Sequence, residues 1–155
     1  YKYKSSYEQI AKVIAQYSYV PLLDLTDFYE QVFFSWLVGN NDMHLKNFSL
    51  YAPKGKWFLT PAYDLLNVSM VNPKDTEEMA LTLNGRKKRI TKSDFVSAMT
   101  LSGIASKVFD NMLEKYRKLL PKIHSMIDMS FLDDECKETY KQGITSRLER
   151  ISNQK

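Results

Sequence analysis

The chain has 155 residues, 44% of them hydrophobic and 13% aromatic, enough apolar material for one domain that buries roughly 68–70% of its unfolded surface. That composition argues against disorder, the lone Cys136 excludes an internal disulfide, and no apolar run approaches the roughly 20 residues of a membrane span; with no signal-peptide pattern, a cytoplasmic protein is expected. The formal charge of +4 raises nucleic acid as a partner, but the densest basic run, Arg86-Lys87-Lys88-Arg89, lacks interleaved aromatics and reads as a solvated loop or a contact for an acidic partner surface, not as DNA readout.

In chain order, Ser5-Ser6-Tyr7-Glu8 reads as a capping box, with Ser5 as N-cap and Glu8 reaching back. It opens a helix to about Tyr17, with Ile10, Val13, Ile14 and Tyr17 on one face. Pro21 is expected to break the chain. A second helix is expected from about Thr26 to Val38, with Phe28, Val32, Phe33, Trp36 and Leu37 as a stripe wide enough to be buried and Gly39 as its C-terminal cap. Phe48 to Tyr51 and Trp57 to Thr60 flank Pro53-Lys54-Gly55-Lys56 and predict a hairpin. Met79 to Leu83 and Arg89 to Ile90 suggest a weaker second pair around Asn84-Gly85, a dipeptide that favours tight turns.

Beyond Thr91 the pattern is helical. Thr91-Lys92-Ser93-Asp94 is a second capping signature, and Gly103 ends the short helix it opens. A longer helix carrying Val108, Met112, Leu113, Tyr116, Leu119 and Leu120 follows, which Pro121 is expected to kink or divide. A last helix, from about Leu132 to Ile151, places Tyr140, Ile144, Leu148 and Ile151 on one stripe. The fold class predicted is mainly α with small β-hairpins, in a single domain over 1–155.

One pattern speaks of chemistry. Asp42 and Asn47 stand five residues apart, and Asp64 follows Asn47 by seventeen, beyond the first hairpin. Phosphoryl transfer asks a protein mainly to hold ATP, metal and hydroxyl in line and to neutralise charge. An acid that orients the attacking hydroxyl (Asp42), with an amide and a second acid as hard oxygen ligands for magnesium on ATP (Asn47, Asp64), meets that need. His44 and Lys46 add hydrogen-bonding or positive groups for the transferred phosphate. Blander roles exist for each: Asp42 caps a turn, Asp64 sits in an Asx turn, Asn47 braces the loop, His44 is a hydrogen-bonded core residue, and Lys46 faces solvent. His124 stands alone in a helix and has no assigned role.

The runs Gly39-Asn40-Asn41-Asp42-Met43-His44-Leu45-Lys46-Asn47 and Pro61-Ala62-Tyr63-Asp64-Leu65-Leu66 closely resemble the catalytic and metal-binding segments of HipA-like serine/threonine kinases, the toxins of bacterial HipA/HipB toxin-antitoxin systems. The resemblance extends through Met79 to Gly85 and Arg89 to Phe95, and back to Ser6-Tyr7-Glu8-Gln9-Ile10. It implies a protein-kinase-like C-terminal lobe, with Asp42 catalytic and Asn47 and Asp64 at the two metal positions. It further implies ATP and Mg2+ as cofactors, a HipB-like DNA-binding antitoxin as partner, and a protein substrate such as an aminoacyl-tRNA synthetase. Two departures from ordinary protein kinases stand out: Asn41 replaces the common Arg before the catalytic Asp, and Tyr63-Asp64-Leu65 replaces Asp-Phe-Gly.

No glycine precedes Gly39, and Lys2, Lys4 and Lys12 sit in or beside a helical pattern, so the glycine-rich loop and strand lysine of a nucleotide-gripping lobe are not expected in this chain. Two other functions fit the residues: a small-molecule phosphotransferase, because D-x-H-x-x-N also occurs in such enzymes, and a non-catalytic helical interaction module.

Overall fold

The computed structural model describes residues 3–72 and 75–153; Lys2 lies outside them. Six α-helices and one two-stranded hairpin appear there: α1 (Tyr7–Tyr17), α2 (Pro21–Val38), β1 (Leu50–Tyr51), β2 (Phe58–Leu59), α3 (Val68–Val71), α4 (Lys92–Leu101), α5 (Ser106–Asp128) and α6 (Asp134–Ser152).

Helix α1 is capped by Ser6, not Ser5. The Ser6 hydroxyl accepts from Gln9 N, and the Gln9 side chain accepts from Ser6 N. Glu8 does not reach back but crosses to Asn84 N at 2.5 Å. The buried face of α1 is Tyr7, Ala11 and Ile14, turned mainly toward α2, while Val13 and Tyr17 are exposed. Lys12 lies on the exposed side.

Pro21 does not separate α1 from a later start; it opens α2. Proline is preorganised for the first helical position, where its missing N–H is not needed. Helix α2 is the hub of the molecule, with Leu25, Phe28, Tyr29, Val32, Phe33, Trp36, Leu37 and Val38 all buried. A helix apolar on nearly every side must be wrapped, and α1, β2 and α6 wrap this one. Phe33 is the meeting point of the rings, 5.4 Å from Phe95 of α4 and 5.3 Å from both Phe109 and Tyr116 of α5. Phe95 and Phe109 stack at 4.9 Å.

The predicted hairpin forms, shorter than expected, with Leu50 opposite Leu59 and Tyr51 opposite Phe58. So small a ladder has little stability of its own. Buried Asp24 supplies the anchor: one carboxylate oxygen accepts from the Ser18 hydroxyl (2.6 Å) and from Leu59 N (2.8 Å).

The second strand pair is absent as strands. Asn84-Gly85 does make a tight turn, with Leu83 and Arg86 exchanging both backbone bonds, but the chain then leaves the ladder as Arg89 takes a left-handed backbone with φ 54°. Thr82 pairs instead with Ser6 at the start of α1.

Thr91 and Asp94 form the predicted capping box of α4. Pro121 does not divide α5, which runs unbroken to Asp128. It lies exposed, so the carbonyl it strips of a partner is open to water, while Tyr116, Leu120 and Ile127 anchor the helix on either side. Helix α6 starts two residues later than predicted, capped by Asp133, and buries Ile144, Leu148 and Ile151. Among the described residues no helix is long and apolar enough to cross a membrane.

Candidate active site

Gly39 takes the left-handed backbone (φ 79°) that ends α2 and turns the chain into the Asp42 loop. A side chain there would collide with Ser69, whose Oγ lies 2.5 Å from the position of a Cβ. The next residue, Asn40, is buried and holds the backbones of both acids: its Nδ2 donates to the Asp64 carbonyl (3.1 Å), and its Oδ1 accepts from Asp42 N (3.2 Å).

Asn47 closes the arrangement. It is buried in a short 3-10 turn, its Oδ1 accepting from His44 N (3.1 Å) and its Nδ2 donating to Asp64 Oδ2 at 2.6 Å. Asp64 is exposed and takes a left-handed backbone (φ 57°), which aspartate tolerates better than most residues. The hairpin delivers it there: Thr60 N bonds Ser49 O (3.0 Å), Gln31 donates to Thr60 O (3.2 Å), and the Tyr63 hydroxyl donates to Lys46 O (2.9 Å).

Asp42 is half-buried. Its Oδ1 accepts from the Tyr3 hydroxyl at 2.7 Å, and its Oδ2 has no hydrogen-bond partner among the described residues. The Tyr3 ring also meets His44 edge-on at 5.3 Å. Below the loop, the Tyr7 hydroxyl donates to Met43 O (2.9 Å); burial pushes this phenol well above its ordinary pKa, so it remains a donor.

His44 is buried and its Nδ1 accepts from Lys46 N (3.3 Å), a bracing role inside the loop. Lys46 is exposed. Asn41 is buried and fastens the loop to the segment after α3, donating to Asp75 Oδ2 and Glu77 O, both at 3.1 Å. Its own Oδ1 is buried without a partner among the described residues.

The structure thus brings Asp42, Asn47 and Asp64 into one constellation, with His44 and Lys46 in the loop between. Asn40 and Tyr3 were not foreseen. The repeated Asn-Asn before Asp42 was a signal for the first; Tyr3, 39 residues away, had none. A surface cavity of about 510 Å3 between α2, α5 and the chain after β2 contains none of these residues. Among the described residues no three histidine, cysteine or acidic side chains gather as a metal cage.

The family model of the HipA-like C-terminal domain matches residues 1–126, and the chain belongs to that family. A Haemophilus influenzae protein named "Putative kinase" is 43% identical over 65 residues, covering 41% of this chain and 19% of that protein. "Putative kinase Y4dM" of Sinorhizobium fredii is 30% identical over 107 residues, covering 68% of this chain and 26% of its own length. Among solved structures, HipA of Shewanella oneidensis, determined with HipB and operator DNA, superposes with a TM-score of 0.81 at 22% identity over 95% of this chain and 36% of that one. The mainly helical lobe with its small hairpin is therefore the HipA C-terminal fold, and the chain spans well under half of each of these relatives.

Proposed function

We propose that this chain is the catalytic lobe of a HipA-like serine/threonine protein kinase, which transfers the γ-phosphoryl group of ATP to a protein hydroxyl. The observation that carries the reading is the 2.6 Å contact between Asn47 and Asp64 beside Asp42, with Asn40 bracing both acids. Asp42 Oδ2, without a partner among the described residues, is the group that accepts a hydrogen bond from the attacking hydroxyl and takes its proton, while Tyr3 holds the other oxygen.

Asp64 fits magnesium by chemistry, with its Oδ1 open among the described residues; Asn47 would add an amide oxygen only by turning its side chain, since here its Nδ2 faces Asp64 and its Oδ1 accepts from His44 N. When bound, that ion neutralises phosphate charge. The residues' own work is to fix the distance between the acceptor's place at Asp42 and the phosphate's place at Asp64. His44 braces the loop, and the exposed Lys46 faces the transferred phosphate.

A HipB-like DNA-binding antitoxin is the proposed partner, supported by the likeness in fold to a HipA bound to HipB. DNA contact is assigned to that partner, since three of the four basic residues of the cluster are engaged within the chain: Arg86 lies 3.8 Å from Asp94, Lys87 3.2 Å from Glu77, and Lys88 bonds Thr76.

The test is label transfer from radiolabelled ATP with magnesium, in protein that includes the parts gripping the nucleotide. Asp42→Asn is expected to lower the rate about 10²–10⁴-fold with the fold intact, and a near-wild-type rate refutes the assignment. Protein acceptors run beside small alcohols decide the acceptor class.

A further inference from the structure

Beside Gly39, at the root of the Asp42 loop, α3 and α6 face each other across a cavity of about 340 Å3, an order of magnitude more than the roughly 30 Å3 a liquid water takes up. Its lining includes Asn67, Ser69, Thr139, Gly143 and Arg147. Thr139, Gly143 and Arg147 recur every four residues, so one face of α6 presents all three. Glycine inside a helix costs about 1 kcal/mol relative to alanine. A Cβ at Gly143 would stand 3.4 Å from Arg147 Nη1, so its absence leaves the guanidinium room.

Arg147 is the group without an explanation in the fold. It is half-buried, yet among the described residues no carboxylate forms an ion pair with it. Its hydrogen bond to Ser69 Oγ is 3.5 Å long, at the outer edge of what counts as one. Glu78, a nearby acid, is held by both Nη atoms of Arg150, at 2.9 and 3.0 Å. Burial holds the Arg147 pKa below the ordinary arginine value, outweighing the attraction of the Glu78 charge.

We propose that this cavity binds a small oxyanion of the phosphate class, held by the Arg147 guanidinium with the Thr139 hydroxyl, beside a Ser69 hydroxyl that donates to Asn67 Oδ1 (2.7 Å). A planar fork of N–H donors facing hydroxyls, with no carboxylate paired to it, matches such an anion in charge and shape. The acidic wall residue, Glu135, is solvent-exposed. Ser69 N donates to Gly39 O (3.1 Å), so a bound anion pins the chain that follows Asp64 against the end of α2. The site does not depend on the catalytic reading of Asp42.

Thermal unfolding of the purified chain, with inorganic phosphate titrated at constant ionic strength, tests it. The expected result is a Tm that rises about 3 °C per tenfold increase in phosphate above its Kd, with the Ser69 and Gly143 amide resonances shifting in parallel. Arg147→Met should be at least as stable without phosphate and should not respond to it. Gly143→Glu, which gives Arg147 an internal partner one turn away, should also lose the response, and it decides the matter if Arg147→Met fails to fold. No response in the wild type, an equal response in either variant, or an equal response to acetate overturns the proposal.

Discussion

The region around the Asp42 loop and the α5–α6 pair are held together by different physics. The loop region rests on polar atoms that meet across long stretches of chain: Asp24 to Leu59, Asn40 to Asp64, Asn41 to Asp75. The α5–α6 pair rests on apolar stripes: Phe109, Met112, Leu113 and Tyr116 on one helix, Ile144, Leu148 and Ile151 on the other. Directional bonds fix where a few atoms stand, and apolar stripes fix how well two surfaces fit. The first region should therefore fail when one polar atom is lost, and the second when volume is lost.

Phe33, where the helices meet, should give the largest effect. Phe33→Ala removes a ring in contact with two other helices and is expected to cost about 4 kcal/mol in urea unfolding. A loss below about 1 kcal/mol would mean that the aromatic cluster repacks.

Asn40→Ala leaves Asp42 N and the Asp64 carbonyl without their partner and is expected to cost about 3 kcal/mol. The contrast sharpens if Asn40→Asp, of nearly equal volume, is almost as harmful, because the amide donor to Asp64 is gone.

Glu78 joins the two regions, accepting from Trp36 Nε1 (3.0 Å), Ile90 N (3.1 Å) and Arg150. Burial alone would raise its pKa, but the bonds from Arg150, Trp36 and Ile90 outweigh it and hold the carboxyl below its ordinary value of 4.5. A folded pKa below the unfolded one stabilises the protein above about pH 4.5, and that stability is lost as pH falls through the lower folded value. Glu78→Ala is expected to cost about 2 kcal/mol at pH 7, discounted for its partial exposure, and to flatten the acid limb of the pH–stability curve. An unchanged acid limb would assign that limb to other carboxylates.

At the small end, Lys118→Ala removes an exposed pair with Glu114 (3.4 Å) on α5 and should shift stability by less than about 0.5 kcal/mol. A larger change would show that surface charge contributes to the α5–α6 pair as well.

The same division explains what could be read from the sequence. The stripe of α2, the Thr91 cap, the Gly39 stop and the turn around Pro53 to Lys56 are local signals that appear where local rules put them, whereas the α1 stripe was misplaced, with Val13 and Tyr17 exposed. The spacing of Asp42, Asn47 and Asp64 was legible because a hairpin of fixed length returns the chain. The errors are also local in origin. Two serines competed for one cap, Pro21 was read as a break where it begins a helix, and Pro121, expected to kink or divide α5, sits on its wet side without dividing it. Nothing local marks Tyr3 as a partner of Asp42 or Glu78 as a partner of Trp36, since a hydrogen bond between distant residues leaves no periodicity behind.

The Asp24 anchor has a consequence in time. Two paired residues per strand are too few to shield their own amides, and such a hairpin alone should exchange its hydrogens with heavy water within moments. Leu59 N–H, however, points away from the ladder onto a buried carboxylate that also holds the Ser18 hydroxyl ahead of α2. Its proton leaves only when that junction opens. The slowest clock in the hairpin should thus be set by the helix beneath it, and the path that carries Asp64 to its place should keep time with the core.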